Sequence, residues 1–448
     1  MSDDRLAFID QATFLSWRAT GRAQLAQYVW VYPRSVDMER LQCFHRDLGY
    51  GLAGRLIEPS ALPFGRHRWV SANGPAAALD VADARPPGQL GAWIDERSQR
   101  RIDPVRGPGW HLGVLPMTDG ATAITLVVSH CLLDGGGSLR TLVDAVNADR
   151  RYFGYRPPRS RTRLSALASD ARQVARDLPE LGRTVVAAAK FAYRRRGAIA
   201  SSGGSPPTTV PGAGAGSDDA IVCLPAVSAI VDVQEWDARA EDLGGTSYSL
   251  LAGFAAVLGE RLGRARPPDG AVTLLIAMSD RGGLEDRRGN AMKIATATVY
   301  PTPAPTDLAA TRSAVRAALA ALRDVPDDKH ELLPITPFVP KRAVRRTADV
   351  VFGDLPVSCS NLGDAPADIA RPDGTDAEYV LFRPVDQNVT RSGIERTGGQ
   401  LVLAAGRIAG TMSIGVVGYQ VGAANSREWL ADQVVETLAE FGLKGAII

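Results

Sequence analysis

From Gly197 to Asp219 the chain cannot build a core of its own, and that interruption decides how the rest must be arranged. Ser201-Ser202-Gly203-Gly204-Ser205-Pro206-Pro207 is followed by Pro211-Gly212-Ala213-Gly214-Ala215-Gly216. Such a run carries too few apolar side chains to offset the entropy of ordering it, so 197–219 reads as a flexible linker or crossover loop. A chain of 448 residues also exceeds one ordinary core. The interruption therefore divides it into an N-terminal lobe, 1–196, and a C-terminal lobe, 220–448. With 45% hydrophobic and 22% charged residues the composition is that of a globular protein.

In the first lobe the apolar pattern alternates between helix and strand. Asp10 ahead of Gln11-Ala12-Thr13-Phe14-Leu15 predicts a helix start. Ala26 to Tyr32 is rich in aromatic and β-branched residues and reads as a strand, while Met38, Leu41 and Phe44 have helical spacing. Trp69-Val70 and the run ending at Val128 supply further strands, which together give an α/β sandwich. The second lobe restarts with a strand at Ile221 to Leu224, a helix over 233–243 and an apolar helix from Tyr248 to Leu262. Strands follow at Val272 to Met278 and Ile294 to Tyr300, and Thr306 and Asp307 can cap the next helix. Val350 to Phe352, Val357 to Gly363, a hairpin over 401–419 and a helix over 428–441 complete the pattern.

Chemistry is concentrated in Val127-Val128-Ser129-His130-Cys131-Leu132-Leu133-Asp134-Gly135-Gly136-Gly137. An apolar strand ends in one of only five histidines, and an aspartate and three glycines follow. At such a strand end an imidazole can be partly exposed in a cleft, and it titrates near working pH, which suits it to take a proton from a hydroxyl or amine. The glycines predict a turn and Ser138 an N-cap for the helix carrying Leu139, Leu142, Val143 and Val146. A structural histidine at a strand end explains the same residues equally well.

The remaining composition removes other classes. A net charge of +2 makes no case for nucleic acid, and Cys43, Cys131, Cys223 and Cys359 lack the spacing of a zinc site or a disulfide framework, so no metal is expected. Met1 to Arg5 lack the regions of a signal peptide and no apolar run reaches membrane-spanning length, which points to the cytoplasm. Arg150, Arg151, Arg156, Arg159, Arg161, Arg163 and Arg194 to Arg196 make 159–196 a basic helix. That helix suits peripheral contact with an anionic membrane or with phosphate groups; a solvated connector is the plainer alternative.

His130-x-x-x-Asp134-Gly135 resembles the H-H-x-x-x-D-G signature of the thioester-dependent acyltransferase superfamily. That group includes chloramphenicol acetyltransferase, peptide-synthetase condensation domains and bacterial wax ester synthase/diacylglycerol acyltransferases. His130 falls on the second histidine, and Ser129 stands in place of the first. The later order is similar to the wax ester synthase pattern. A small-apolar strand ends in Ser279-Asp280-Arg281, Asn290 precedes the next strand, and Ser360-Asn361 comes before a glycine turn that lacks the usual proline. The resemblance implies two chloramphenicol-acetyltransferase-like α/β sandwich lobes with a tunnel between them that meets at the histidine. It implies His130 as catalytic base and Asp134 and Gly135 as structural members of its loop, with Arg281 from the second lobe against Asp134. Ser358, Ser360 and Asn361, or the Gly135 and Gly136 amides, are the implied oxyanion or substrate contacts.

The implied reaction moves an acyl group from acyl-CoA to an alcohol, giving an ester in lipid or natural-product metabolism, with the thioester as co-substrate and no bound cofactor. Two alternatives stay open. One is a free-standing condensation-type enzyme that takes its acyl group from the phosphopantetheine of an acyl carrier protein and forms an ester or amide. The other is a non-catalytic relative acting as a binding module, against which the intact His130 and Asp134 speak. The basic residues serve coenzyme A phosphates and an acidic carrier-protein helix alike.

Overall fold

Two mixed sheets carry the fold, and one strand of the second half belongs to the first sheet. A computed structural model describes residues 4–75, 77–201, 220–324, 333–338 and 355–448, with the side chains of its longest helix described as far as Thr184. In the first sheet β1 (Ala23–Tyr32) lies between β6 (Thr122–Ser129) and β12 (Tyr379–Gln387), antiparallel to both. β5 (Trp110–Pro116) and β4 (Asp80–Val81) extend it beyond β6. β2 (Arg55–Glu58) and β3 (Arg68–Ser71) form a separate ribbon, so Trp69 and Val70 do not close the main sheet. The helices of this half are α1 (Phe8–Thr20), α2 (Met38–Leu48), α3 (Leu90–Ser98), α4 (Gly135–Val146) and α5 (Arg163–Ser201).

The second sheet runs β10 (Met292–Val299), β9 (Val272–Ser279), β11 (Val357–Asp364), β14 (Gln400–Ile408), β15 (Thr411–Tyr419), β8 (Ala226–Asp232) and β16 (Ala446–Ile447). β7 (Ile221–Val222) pairs only with β13 (Val389–Thr390). Around this sheet lie α6 (Val233–Asp242), α7 (Ser247–Arg261), α8 (Ala309–Asp324), α9 (Arg391–Arg396) and α10 (Arg427–Glu440). α7 is apolar on every side, and Leu250, Leu251, Phe254, Ala255 and Leu258 are fully buried, as a helix at the centre of a lobe must be. Local chemistry sets its start, because Thr246 and Ser249 form a reciprocal capping box.

Several expectations change at the histidine loop. The three glycines do not make a turn; they are the first turn of α4, capped by Asp134, whose Oδ1 accepts from Gly137 N at 2.7 Å. Ser138 is therefore inside the helix and buried, not at its cap. Asp10 likewise lies within α1, which begins at Phe8 after Ala7. The backbone of α5 continues to Ser201, past the start expected for the linker at 197; the rest of the 197–219 linker and the strand expected at Val350 to Phe352 lie outside the described residues.

The crossing of β12 joins the halves. It completes the first sheet while its other side packs on β15, and Ser413 Oγ accepts from Phe382 N at 3.2 Å. The approach is so close that a Cβ on Gly415 would fall 2.2 Å from Phe382 O. Beside it, buried Arg383 donates to Gln27 Oε1 of β1 at 2.8 Å, to Ala226 O at 3.1 Å and to Asp95 Oδ1 at 2.6 Å. One guanidinium thus ties β1, β8 and α3 to β12. Gly415→Ala should lose at least about 1–3 kcal/mol of stability, the range of overpacking, because backbone rather than a movable side chain blocks the methyl. Chemical denaturation checks this, and an unchanged midpoint would show that the strands can part without cost.

Candidate active site

His130 follows the last residue of β6, at the seam between the halves. Its backbone is clamped from both sides: its N–H donates to Gln24 O of β1 at 2.9 Å, and its carbonyl accepts from Asn290 Nδ2 at 3.1 Å. The residue is half-buried, and among the described residues its imidazole makes no hydrogen bond or ion pair. The main chain is fixed while the ring is left available. That arrangement suits a proton acceptor whose partner is a substrate.

Asp134 does the opposite. Besides the cap to Gly137, Oδ1 accepts from Arg281 Nη2 at 2.7 Å, and Oδ2 accepts from Ala291 N at 2.7 Å. Its own N–H donates to Gly289 O at 2.9 Å. Both side chains of the Asp134–Arg281 pair are buried, and the guanidinium also reaches Arg288 O at 3.1 Å and Gly289 O at 3.2 Å. This carboxylate is saturated by a cation and two amides, so it holds the loop.

Two residues that the sequence did not mark as functional complete the clamp. Asp10, fully buried, accepts from Gly289 N at 2.9 Å, Asn290 N at 2.6 Å and Asn290 Nδ2 at 3.1 Å. Burial raises its pKa above the ordinary range, against the pull of Arg55 and of those donors. Arg55 donates to Leu132 O at 2.7 Å and to Arg287 O, with its guanidinium 3.6 Å from the centre of the Trp69 ring. A signal for Arg55 was present, since an arginine opening the apolar strand Arg55-Leu56-Ile57 needs a buried acceptor. Asp10 was hidden because an aspartate near a helix start has a local explanation.

Two of the motif's glycines are closely approached. A Cβ on Gly135 would fall 2.3 Å from Leu362 Cδ2 of β11, and one on Gly137 3.0 Å from Arg281 Nη2. Leu362 thus brings the end of β11 against the histidine loop. Ser358 and Ser360 share a face of that strand and are half-buried, whereas Val357 and Cys359 are in the core. Asn361 caps its own turn, its Oδ1 accepting from Gly363 N at 2.8 Å, so only its amide nitrogen is left as a donor toward a substrate.

A cavity of about 280 Å³ opens between the halves, with Gln24, Cys131 and Ser358 in its lining. It reaches the residue next to His130, but His130 itself is outside the lining, unlike the channel expected to run through the histidine. The chain turns sharply here, since Leu132 N returns to Ser129 O at 3.0 Å. The basic segment is also less free than its composition implies. Arg150 pairs with Asp47, Arg151 with Asp144 and Asp149, and Arg161 with Glu58 and Asp170, leaving Arg156, Arg159 and Arg163 exposed. The side chains of Arg194, Arg195 and Arg196 lie outside the described residues. No helix among the described residues is long and apolar enough to cross a membrane.

The fold is shared with solved condensation domains and with a wax ester synthase. The chain is similar to the first condensation domain of the calcium-dependent antibiotic synthetase, with a TM-score of 0.57 and 13% identity over 99% of both chains. It is similar to the wax ester synthase/diacylglycerol acyltransferase of Marinobacter aquaeolei, with a TM-score of 0.55 and 14% identity over 98% of each. Polyketide synthase associated protein 5 of Mycobacterium tuberculosis gives a TM-score of 0.54 and 14% identity over 97% of each chain. Against a longer nonribosomal peptide synthetase it covers only 42% of that chain, at a TM-score of 0.52 and 18% identity. No family model and no curated protein matches the sequence.

Breaking the clamp should be costly. Asp134→Asn and Arg281→Met are each expected to lose about 3–5 kcal/mol, because each leaves a buried partner uncompensated. The double variant should lose clearly less than the sum, which a denaturation cycle measures; simple additivity would show that the two groups do not depend on one another.

Proposed function

We propose that the protein is an acyltransferase that moves an acyl group from the thioester of acyl-CoA to an alcohol, forming an ester. The observation that carries this reading is the contrast at the motif: His130 is fixed by its backbone from both halves yet, among the described residues, keeps an uncommitted ring, while both carboxylate oxygens of Asp134 accept hydrogen bonds. His130 takes the proton of the acceptor hydroxyl as its oxygen attacks the thioester carbonyl. The C–O bond forms, the tetrahedral oxyanion collapses with loss of the C–S bond, and the proton passes from the imidazolium to the departing thiolate. The oxyanion needs fixed donors. The Gly135 and Gly136 N–H groups at the start of α4 and the Ser358 and Ser360 hydroxyls are the candidates, with the Asn361 amide behind them. The seam between the halves keeps bulk water from competing with the acceptor.

A donor held on a carrier-protein phosphopantetheine is the second reading, supported by the fold shared with condensation domains. Arg156, Arg159 and Arg163 are exposed for either donor, and for contact with an anionic membrane. Incubating the protein with acyl-CoA or acyl-carrier protein and an alcohol, with mass detection, distinguishes them. His130→Ala should fold normally and lose about 10²–10⁴-fold in rate. Near-normal turnover in that variant would remove His130 from the chemistry.

A further inference from the structure

α8 carries a row of arginines that face no acid. Arg312, Arg316 and Arg323 recur with Leu319 every three or four residues, so the four share one side of the helix. The three arginines are exposed, and among the described residues none of them makes an ion pair. Their one hydrogen bond there runs from Arg312 Nη1 to the neutral carbonyl of Gly244 at 3.4 Å. Other surface arginines of this half are balanced: Arg261 by Glu436 and Glu440, Arg266 by Asp269, and Arg407 by Asp237. Like charges one turn apart destabilise a helix, so the pair Arg312 and Arg316 works against α8 unless an anion offsets it.

All three line one groove of about 290 Å³ between α8 and the start of α7. Among the described residues no carboxylate lines it, and Tyr248, Val315 and Leu319 give it an apolar floor. Thr246 and Ser249 border it too, but their hydroxyls are engaged in the capping box, so its charge comes from the arginines. Because those side chains are exposed, an anion entering the groove meets them without any rearrangement of the core. Arg312 and Arg316 stand about 6 Å apart along the axis, with Arg323 about 10 Å beyond them. Two guanidinium groups at the first spacing can share the oxygens of one phosphate. A phosphate ester brings nearly two negative charges and three acceptor oxygens, whereas a single carboxylate leaves two of the three cations unbalanced.

We propose that this groove binds a phosphate monoester, with the phosphate between Arg312 and Arg316 and the apolar ester group on Tyr248 and Leu319. A free ester and a lipid whose headgroup is an unsubstituted phosphate present the same chemistry. The groove shares no residue with the histidine loop or with the cavity between the halves. The site therefore does not rest on the transferase reading, and its ligand has no need to meet His130.

The test is calorimetric binding of phenyl phosphate and phenylacetate to the full chain, with sedimentation on phosphatidylcholine vesicles carrying either phosphatidic acid, a monoester, or phosphatidylglycerol, a diester. Phenyl phosphate binding at least about tenfold more tightly than phenylacetate, the scale of a charge-assisted hydrogen bond, marks a free ester as ligand. Cosedimentation that prefers phosphatidic acid to phosphatidylglycerol marks the lipid, and either result meets the proposal. The double variant Arg312→Gln, Arg316→Gln should lose at least about tenfold of that binding, whereas Arg396→Gln, an exposed arginine outside the groove, should keep it. Binding should also weaken from about pH 8 to about pH 5, because the ester, with a second pKa of about 6, loses a charge while the arginines keep theirs. Absence of both the phosphate and the phosphatidic acid preference overturns the proposal, as does binding unchanged in the double variant. Should that variant fail to fold, Arg323→Gln and the acid dependence decide, and binding that neither one weakens overturns the proposal.

Discussion

The carboxylate of Asp134 is the point on which both halves depend. It caps α4 in the first half and accepts from Arg281 and from Ala291 N in the second. A buried charge of this kind survives only when its oxygens are satisfied, and here the second half supplies most of the donors. Neither half can complete the loop alone. Asp10 repeats the device from α1, satisfying the Gly289 and Asn290 amides, and Asn290 in turn holds the carbonyl of His130. The position of the imidazole is therefore a property of the seam rather than of one lobe.

The halves are also joined away from the motif, through β12. β12 and β15 approach closely enough that only glycine fits at position 415, and Arg383 binds oxygens on β1, β8 and α3. One connection is made by backbone contact and the other by a paired charge, so the halves are fixed at two places. A base that must meet a substrate within hydrogen-bond reach needs this, since small displacements are costly to catalysis.

Much of this was legible along the chain. Local periodicity marked β1, β6, α7, β9 and the β14–β15 hairpin, because each buries side chains in a repeat that one segment can display. The motif marked His130 and Asp134, and resemblance suggested Arg281. What local pattern could not show was β12, a strand more than three hundred residues away from its partner β1, nor the use of Gly135 to Gly137 as a helix start. Local rules read three glycines as a turn; the helix starts there because Asp134 caps it and is itself held by the second half.

The sequence by itself determined the α/β class, most of the elements and which residues could carry chemistry, since these depend on periodicity and side-chain type. Tertiary structure decided which half completes which sheet, and that Asp10 and Arg55 serve the histidine loop. The reason is physical. A polar side chain shows its chemistry in the sequence, but whether that chemistry is satisfied depends on groups brought to it by folding, and only the assembled interior reveals what is missing.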